Sequence, residues 1–242
     1  MDYIISPKRL PRNLGILGMT LPFILVIGDR HLAPSISHYY YTNLGIYFTS
    51  VLFAFGLFLF TYEGYKKKGE QKVTDNFITN IAGFFAICTA FIPTAFNELD
   101  LKLVFGGPNA HRSEIAGTIH LVCAGLFLII MGYLSIFRFT LSGKTKSKFY
   151  ARRYKLYKIC GWMVWICIAF LGVEFLIHKS FTPYDVFFAE MISLLFFGFA
   201  WLVKSQIKSL KYIGLVSEAE LLAYEQRCPV CENPTDQSKK AI

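Results

Sequence analysis

The 242-residue chain is 54% hydrophobic, 17% aromatic and only 17% charged, with a mean hydropathy of +0.44. A soluble domain carries about a quarter charged residues. The composition therefore excludes an ordinary water-soluble globule, and the 24 phenylalanines exclude a disordered or collagen-like chain. A formal charge of +9 would suit a nucleic-acid partner, but the basic residues are distributed for a different purpose.

Six apolar stretches run over about 13–28, 43–62, 76–96, 115–137, 160–177 and 184–203. A membrane-crossing helix needs roughly 20 apolar residues, so the predicted fold class is all-α. It is a polytopic integral membrane bundle of six transmembrane helices occupying 1–203, followed by a polar tail over 204–242. The first stretch contains Pro22, which a membrane helix tolerates. Lys8, Arg9 and Arg12 precede it as in a signal peptide, but no small-residue cleavage site follows.

With both termini cytoplasmic, 21 of the 25 basic residues fall on the cytoplasmic side, and only Arg30, Lys102, Arg112 and Lys179 fall outside. That bias is the strongest orientation signal a membrane sequence carries. It also removes the nucleic-acid partner, because these residues flank helix ends where they meet anionic headgroups. Trp162, Trp165 and Trp201 are expected at cytoplasmic helix ends, where amphipathic rings settle.

All five histidines lie toward the outer side. In the first outer loop, Ser35 and Ser37 stand beside His38, and a serine with a histidine is the simplest nucleophile and base pair. In the third stretch, Asn76 and Asn80 give a polar helix-packing face, and Pro93 bends the outer end. In the fourth, His120 shares a small-residue face with Ala116 and Ala124, which turns it into the bundle. An ionisable residue there needs a partner. In the fifth, Cys160, Cys167 and Glu174 repeat every seven residues as an interior stripe, and His178 follows Glu174 by one turn. Glu190 lies about two turns into the sixth.

The candidate polar site is therefore Ser37, His38, His120, Glu174, His178 and Glu190, with no firm catalytic assignment. Such a set builds a hydrogen-bond network, a proton-linked site, or a site for zinc or another divalent metal. No cofactor is expected. In the tail, Ser217 and Glu220 have capping-box spacing and predict a short helix. Cys228-Pro-Val-Cys231 after it is half of a zinc knuckle and a weak metal candidate.

Pro34-Ser35-Ile36-Ser37-His38, Asn80-Ile-Ala-Gly83 and His120 together resemble motifs of the six-span DRAM/Frag/Sfk-type membrane proteins and of bacterial six-span proteins of unknown function related to them. His38 stands where that family has Asp. The resemblance spans about 14–201 and implies roles tied to membrane lipids, without a defined catalytic mechanism.

The expected function is a non-enzymatic lipid-binding or lipid-organising protein with a polar site near the outer leaflet. The alternatives are a membrane-embedded, metal-dependent hydrolase or lipid-modifying enzyme, and a proton- or ion-coupled transporter. Partners are membrane lipids, and a homo-oligomer is compatible with the sequence. The location is the inner membrane in a bacterium and an endomembrane or the plasma membrane otherwise. In intact cells, an external protease is expected to leave the 144–155 segment uncut, as immunoblotting of a tagged chain would read.

Overall fold

The computed structural model describes residues 9–62, 73–95, 114–141, 148–177 and 179–205. Among them every regular element is helical. The long helices are α1 (Arg9–Asp29), α2 (Gly45–Phe60), α3 (Asp75–Phe91), α4 (Glu114–Tyr133), α5 (Lys148–Ile177) and α6 (Asp185–Ser205). A 3₁₀ turn, Ile36–Tyr41, lies between α1 and α2. A π turn, Leu134–Arg138, continues α4. The tail with Cys228 and Cys231 lies outside the described residues, as does His178.

Each predicted apolar stretch contains one helix, but the boundaries follow caps rather than hydropathy. Thr74 accepts from the Phe77 N–H and starts α3, and the chain leaves α3 at Ile92 because Pro93 disfavours helical geometry in the residue before it. α5 begins at Lys148, twelve residues before the apolar stretch, because Lys, Arg and Tyr extend a helix without being apolar. By length and composition, the helices within 10–29, 114–138, 151–177 and 185–205 are able to cross a membrane; α2, at 16 residues, is apolar but shorter.

The bundle is antiparallel, and the helices follow one another around it. α1 packs on α6, α2 on α3, α3 on α4, α4 on α5, and α5 on α6. Its centre is made by alternate helices: Phe55 of α2, Phe127 of α4 and Phe197 of α6 meet with ring centroids 5.6 to 6.4 Å apart. The surface is apolar as well. Phe23, Phe53, Phe84, Val122, Phe175 and Phe188 are exposed, on six different helices. A surface of this kind belongs in lipid, and the chain is a helical membrane protein by these criteria.

Reciprocal glycine pairs set the closest crossings. A Cβ on Gly15 would lie 2.7 Å from the Gly198 carbonyl, and one on Gly198 would lie 2.6 Å from that of Gly15. Gly56 and Gly83 stand in the same relation between α2 and α3, at 2.9 and 2.8 Å. Between α4 and α5, Gly161 approaches the Gly132 carbonyl while the Trp165 indole covers Gly132. Helices in lipid gain little hydrophobic energy by associating, so this close packing is a main source of cohesion.

At the end of the bundle where α2 and α4 finish and α3 begins, Arg138 bonds Asp75 and the Val73 carbonyl. The π turn carries Arg138 inward to do so, and both members of this ion pair are buried. Trp201 is buried here against Tyr62 and Phe139, so it is a core residue and not the interfacial anchor expected of it. Trp165 donates to the Ile129 carbonyl at 3.1 Å and serves the α4–α5 crossing.

Gly198→Ala is expected to lower stability by about 1–3 kcal/mol, since the new methyl meets backbone that cannot yield. Gly172→Ala, with open space around it, should be neutral or stabilise by roughly 0.5–1 kcal/mol. Thermal unfolding of the two variants in detergent checks the contrast.

Candidate functional site

The polar residues gather at the opposite end of the bundle, around the α1–α2 connection. α1 ends at Asp29, and Arg30 turns the chain with φ 55, a left-handed conformation more usual for glycine at a helix end. Ala33, Ile36 and Tyr39 then bury themselves over the bundle. Tyr39 donates its hydroxyl to the His31 carbonyl at 2.5 Å and accepts from the Ala33 N–H at 3.3 Å. Burial pushes the Tyr39 phenol above its ordinary pKa, which keeps it a neutral donor. The Pro34 carbonyl accepts from the Phe187 N–H at 2.9 Å, satisfying a donor at the start of α6.

The 3₁₀ turn exposes the usual orphan N–H groups at its start, and two side chains take them. The Ser35 hydroxyl accepts from the His38 N–H at 3.2 Å. Glu190, from the first turns of α6, accepts from the Ile36 N–H at 2.6 Å and also faces the N–H and hydroxyl of Ser37. Glu190 is thus a cap supplied from 154 residues away.

The turn presents two serine–histidine contacts. Ser35 Oγ lies 2.8 Å from His38 Nδ1. Ser37 Oγ lies 2.9 Å from His120 Nε2, and His120 Nδ1 lies 2.7 Å from the Ile92 carbonyl. Ile92 follows the last residue of α3 and precedes Pro93, with ψ 120, so its carbonyl has left the helical ladder and is available to His120. His120 is 2% exposed. The small residues beside it do what the sequence required: Gly117 is covered by Ala95, which brings α4 close to the end of α3.

The candidate set therefore divides. Ser37, His120 and Glu190 form one network, joined by His38 through its turn. Glu174 is buried with Cys160 and Cys167, so the seven-residue stripe is the inward face of α5. Its carboxylate, however, serves the α5–α6 connection, accepting from the Phe181 N–H at 3.2 Å and facing Asp185. Asp185 in turn accepts from the N–H and hydroxyl of Thr182. On α3, Asn76 is exposed, while the buried face includes Thr79, Ala82, Gly83, Ala86 and Ala90. Asn80 is half-buried, and its Oδ1 has no hydrogen-bond partner among the described residues. Sequence reasoning did not find the part played by Ile92; Pro93 was the available signal, since it forces an extended residue ahead of it.

Ser35, Ser37, His38, His120 and Glu190 belong to the polar lining of a cavity of about 760 Å³, which Glu114 and Asp185 also border, and Leu121, Ala124, Phe181 and Val186 line its apolar part. α4 and α6 flank it; they meet deeper in the bundle at Phe127 and Phe197. Among the described residues no group of three or more His, Cys, Asp or Glu converges as metal ligands, and both ring nitrogens of His120 are engaged.

The site and fold define a helical membrane protein with a polar network beneath an amphipathic cavity. No family model matches the chain, and neither a curated protein nor a solved structure does.

Glu190→Ala strips the acceptor from the Ile36 N–H and is expected to cost about 1–2 kcal/mol, as loss of a helix cap does. Glu190→Gln keeps an acceptor oxygen and should cost less. Thermal unfolding in detergent distinguishes them.

Proposed function

We propose that the protein spans the membrane six times, with both termini cytoplasmic, and binds the polar end of a lipid or similar amphipathic molecule in the cavity at its outer side. The observation that carries this reading is the cavity's division into the Ser37–His120–Glu190 network and an apolar wall of Leu121, Ala124 and Val186. Its volume of about 760 Å³ suits a headgroup with part of a chain rather than a whole phospholipid. The concentration of basic residues on the other side supports the orientation. The resemblance to DRAM/Frag/Sfk-type proteins, with their ties to membrane lipids, points in the same direction.

The test uses the purified full chain in detergent micelles with an alkyl-ether lysophosphocholine. Ala124→Trp fills the apolar half of the cavity and is expected to weaken binding at least tenfold by native mass spectrometry. Val122→Trp, on the exposed face of α4, should bind as the wild type does. Equal binding by both variants refutes the cavity as the site.

A further inference from the structure

We infer that Ser37 is a nucleophile and His120 its general base, and that the cavity is an acyl-transfer site for carboxylic esters of amphipathic molecules. The inference rests on the reading of the cavity as an amphipathic-ligand site, and adds chemistry to it.

The direction of the hydrogen bonds is the first argument. The Ile92 carbonyl can only accept, so the 2.7 Å contact places a proton on His120 Nδ1. In the neutral ring Nε2 then carries a lone pair, and it faces Ser37 Oγ at 2.9 Å. The Ser37 hydroxyl has one proton, which both Nε2 and the Glu190 carboxylate face; in the reactive arrangement it is donated to Nε2, as a nucleophile's must be to its base. A backbone carbonyl thus holds the tautomer, the task an aspartate performs in serine hydrolases.

Positioning is the second argument. Ser37 sits on a turn fixed by Ser35 within the chain and by Glu190 from α6, while His120 comes from α4 and its orienting carbonyl from the end of α3. Four separate segments therefore hold one serine–histidine pair. A bond made only to join two helices needs neither the fixed tautomer nor the pinned turn. Access is the third argument: Ser37 and His120 both line the cavity whose apolar wall would receive an acyl or alkyl chain.

The chemistry balances with water as co-reactant. Ser37 Oγ attacks the ester carbonyl while its proton passes to His120 Nε2. The tetrahedral adduct collapses, the ester C–O bond breaks, and the alcohol leaves with the proton from Nε2. Water then attacks the acyl-serine, giving its proton to Nε2, and that proton returns to Ser37 as the carboxylic acid departs. Glu190 is a positioning residue: it holds the turn and lies beside the Ser37 hydroxyl.

The test treats the purified full chain in micelles with a long-chain alkyl fluorophosphonate, in which the serine oxygen displaces fluoride from phosphorus. Peptide mass spectrometry is expected to find the adduct on Ser37. The adduct should be absent in Ser37→Ala, undiminished in Val122→Trp on the exposed face of α4, and at least tenfold slower to form in His120→Gln. The glutamine amide reaches about as far as Nε2 and has no basic nitrogen; an unchanged unfolding temperature verifies that the fold is kept. Wild-type hydrolysis of a medium-chain p-nitrophenyl ester should exceed that of Ser37→Ala at least tenfold. Labelling of Ser37 unaffected by His120→Gln, or no Ser37 adduct and no excess hydrolysis, overturns the inference. If the alkyl-ether lysophosphocholine still binds in that case, the binding site survives and only the chemistry fails. Labelling of Ser37 without lysophosphocholine binding supports the chemistry and overturns the amphipathic-ligand reading.

Discussion

One hydrogen bond organises the polar end of this bundle: the Ile36 N–H donating to Glu190. Without it, the 3₁₀ turn would bring unsatisfied donors into an apolar setting, where each such group costs several kcal/mol. With it, the α1–α2 connection becomes a fixed lid on α6, and the Pro34 carbonyl completes the seam by accepting from Phe187. Ser37 and His38 then hold set positions, and the cavity beneath acquires a polar floor. A carboxylate in this place is a backbone cap before it is anything else, and that role gives its burial a reason.

The helices that carry this end are held by contacts of another kind. Glycine pairs let α1 approach α6, and α2 approach α3, until backbone meets backbone, while Phe55, Phe127 and Phe197 fill the centre. Where α4 and α6 flank the cavity their backbones meet no such glycine pair, and the cavity lies between them. The same packing rule thus accounts for tight seams and for the cavity. At the other end, Arg138 and Asp75 form a buried ion pair; in a low-dielectric interior such a pair is costly to break, because either partner alone is an uncompensated charge. It ties α3 to the π turn after α4.

The candidate site was partly legible from the chain alone. His120 was placed inward by its small neighbours, and that inference needs only the helical period, because Ala116, Gly117 and Ala124 all lie within one or two turns. Ser35 and His38 are similarly local, three residues apart on one turn. Ser37 with His120 is not local: 83 residues separate them, and nothing in either segment names the other. Glu174 and Glu190 looked equivalent by depth, yet one serves the α5–α6 connection and the other the α1–α2 turn, because burial alone does not say which backbone a carboxylate will meet. Asn76 looked like a packing residue because it is polar in an apolar stretch, but the helix turned its Thr79–Gly83 face inward instead, small side chains giving the closer approach.

By itself, the sequence determined that the chain is all-helical, that it has six apolar segments, and that its basic residues lie asymmetrically between them. These follow from composition and short-range period, since each helix satisfies its own backbone bonds. The tertiary structure alone decided which carbonyl would meet His120, which carboxylate would cap Ile36, and where the cavity would lie. Those outcomes depend on rotations and crossings of whole helices. The helix surfaces are apolar nearly all round, so no hydrophobic stripe specifies a rotation; close contacts at glycines and a few long-range hydrogen bonds do.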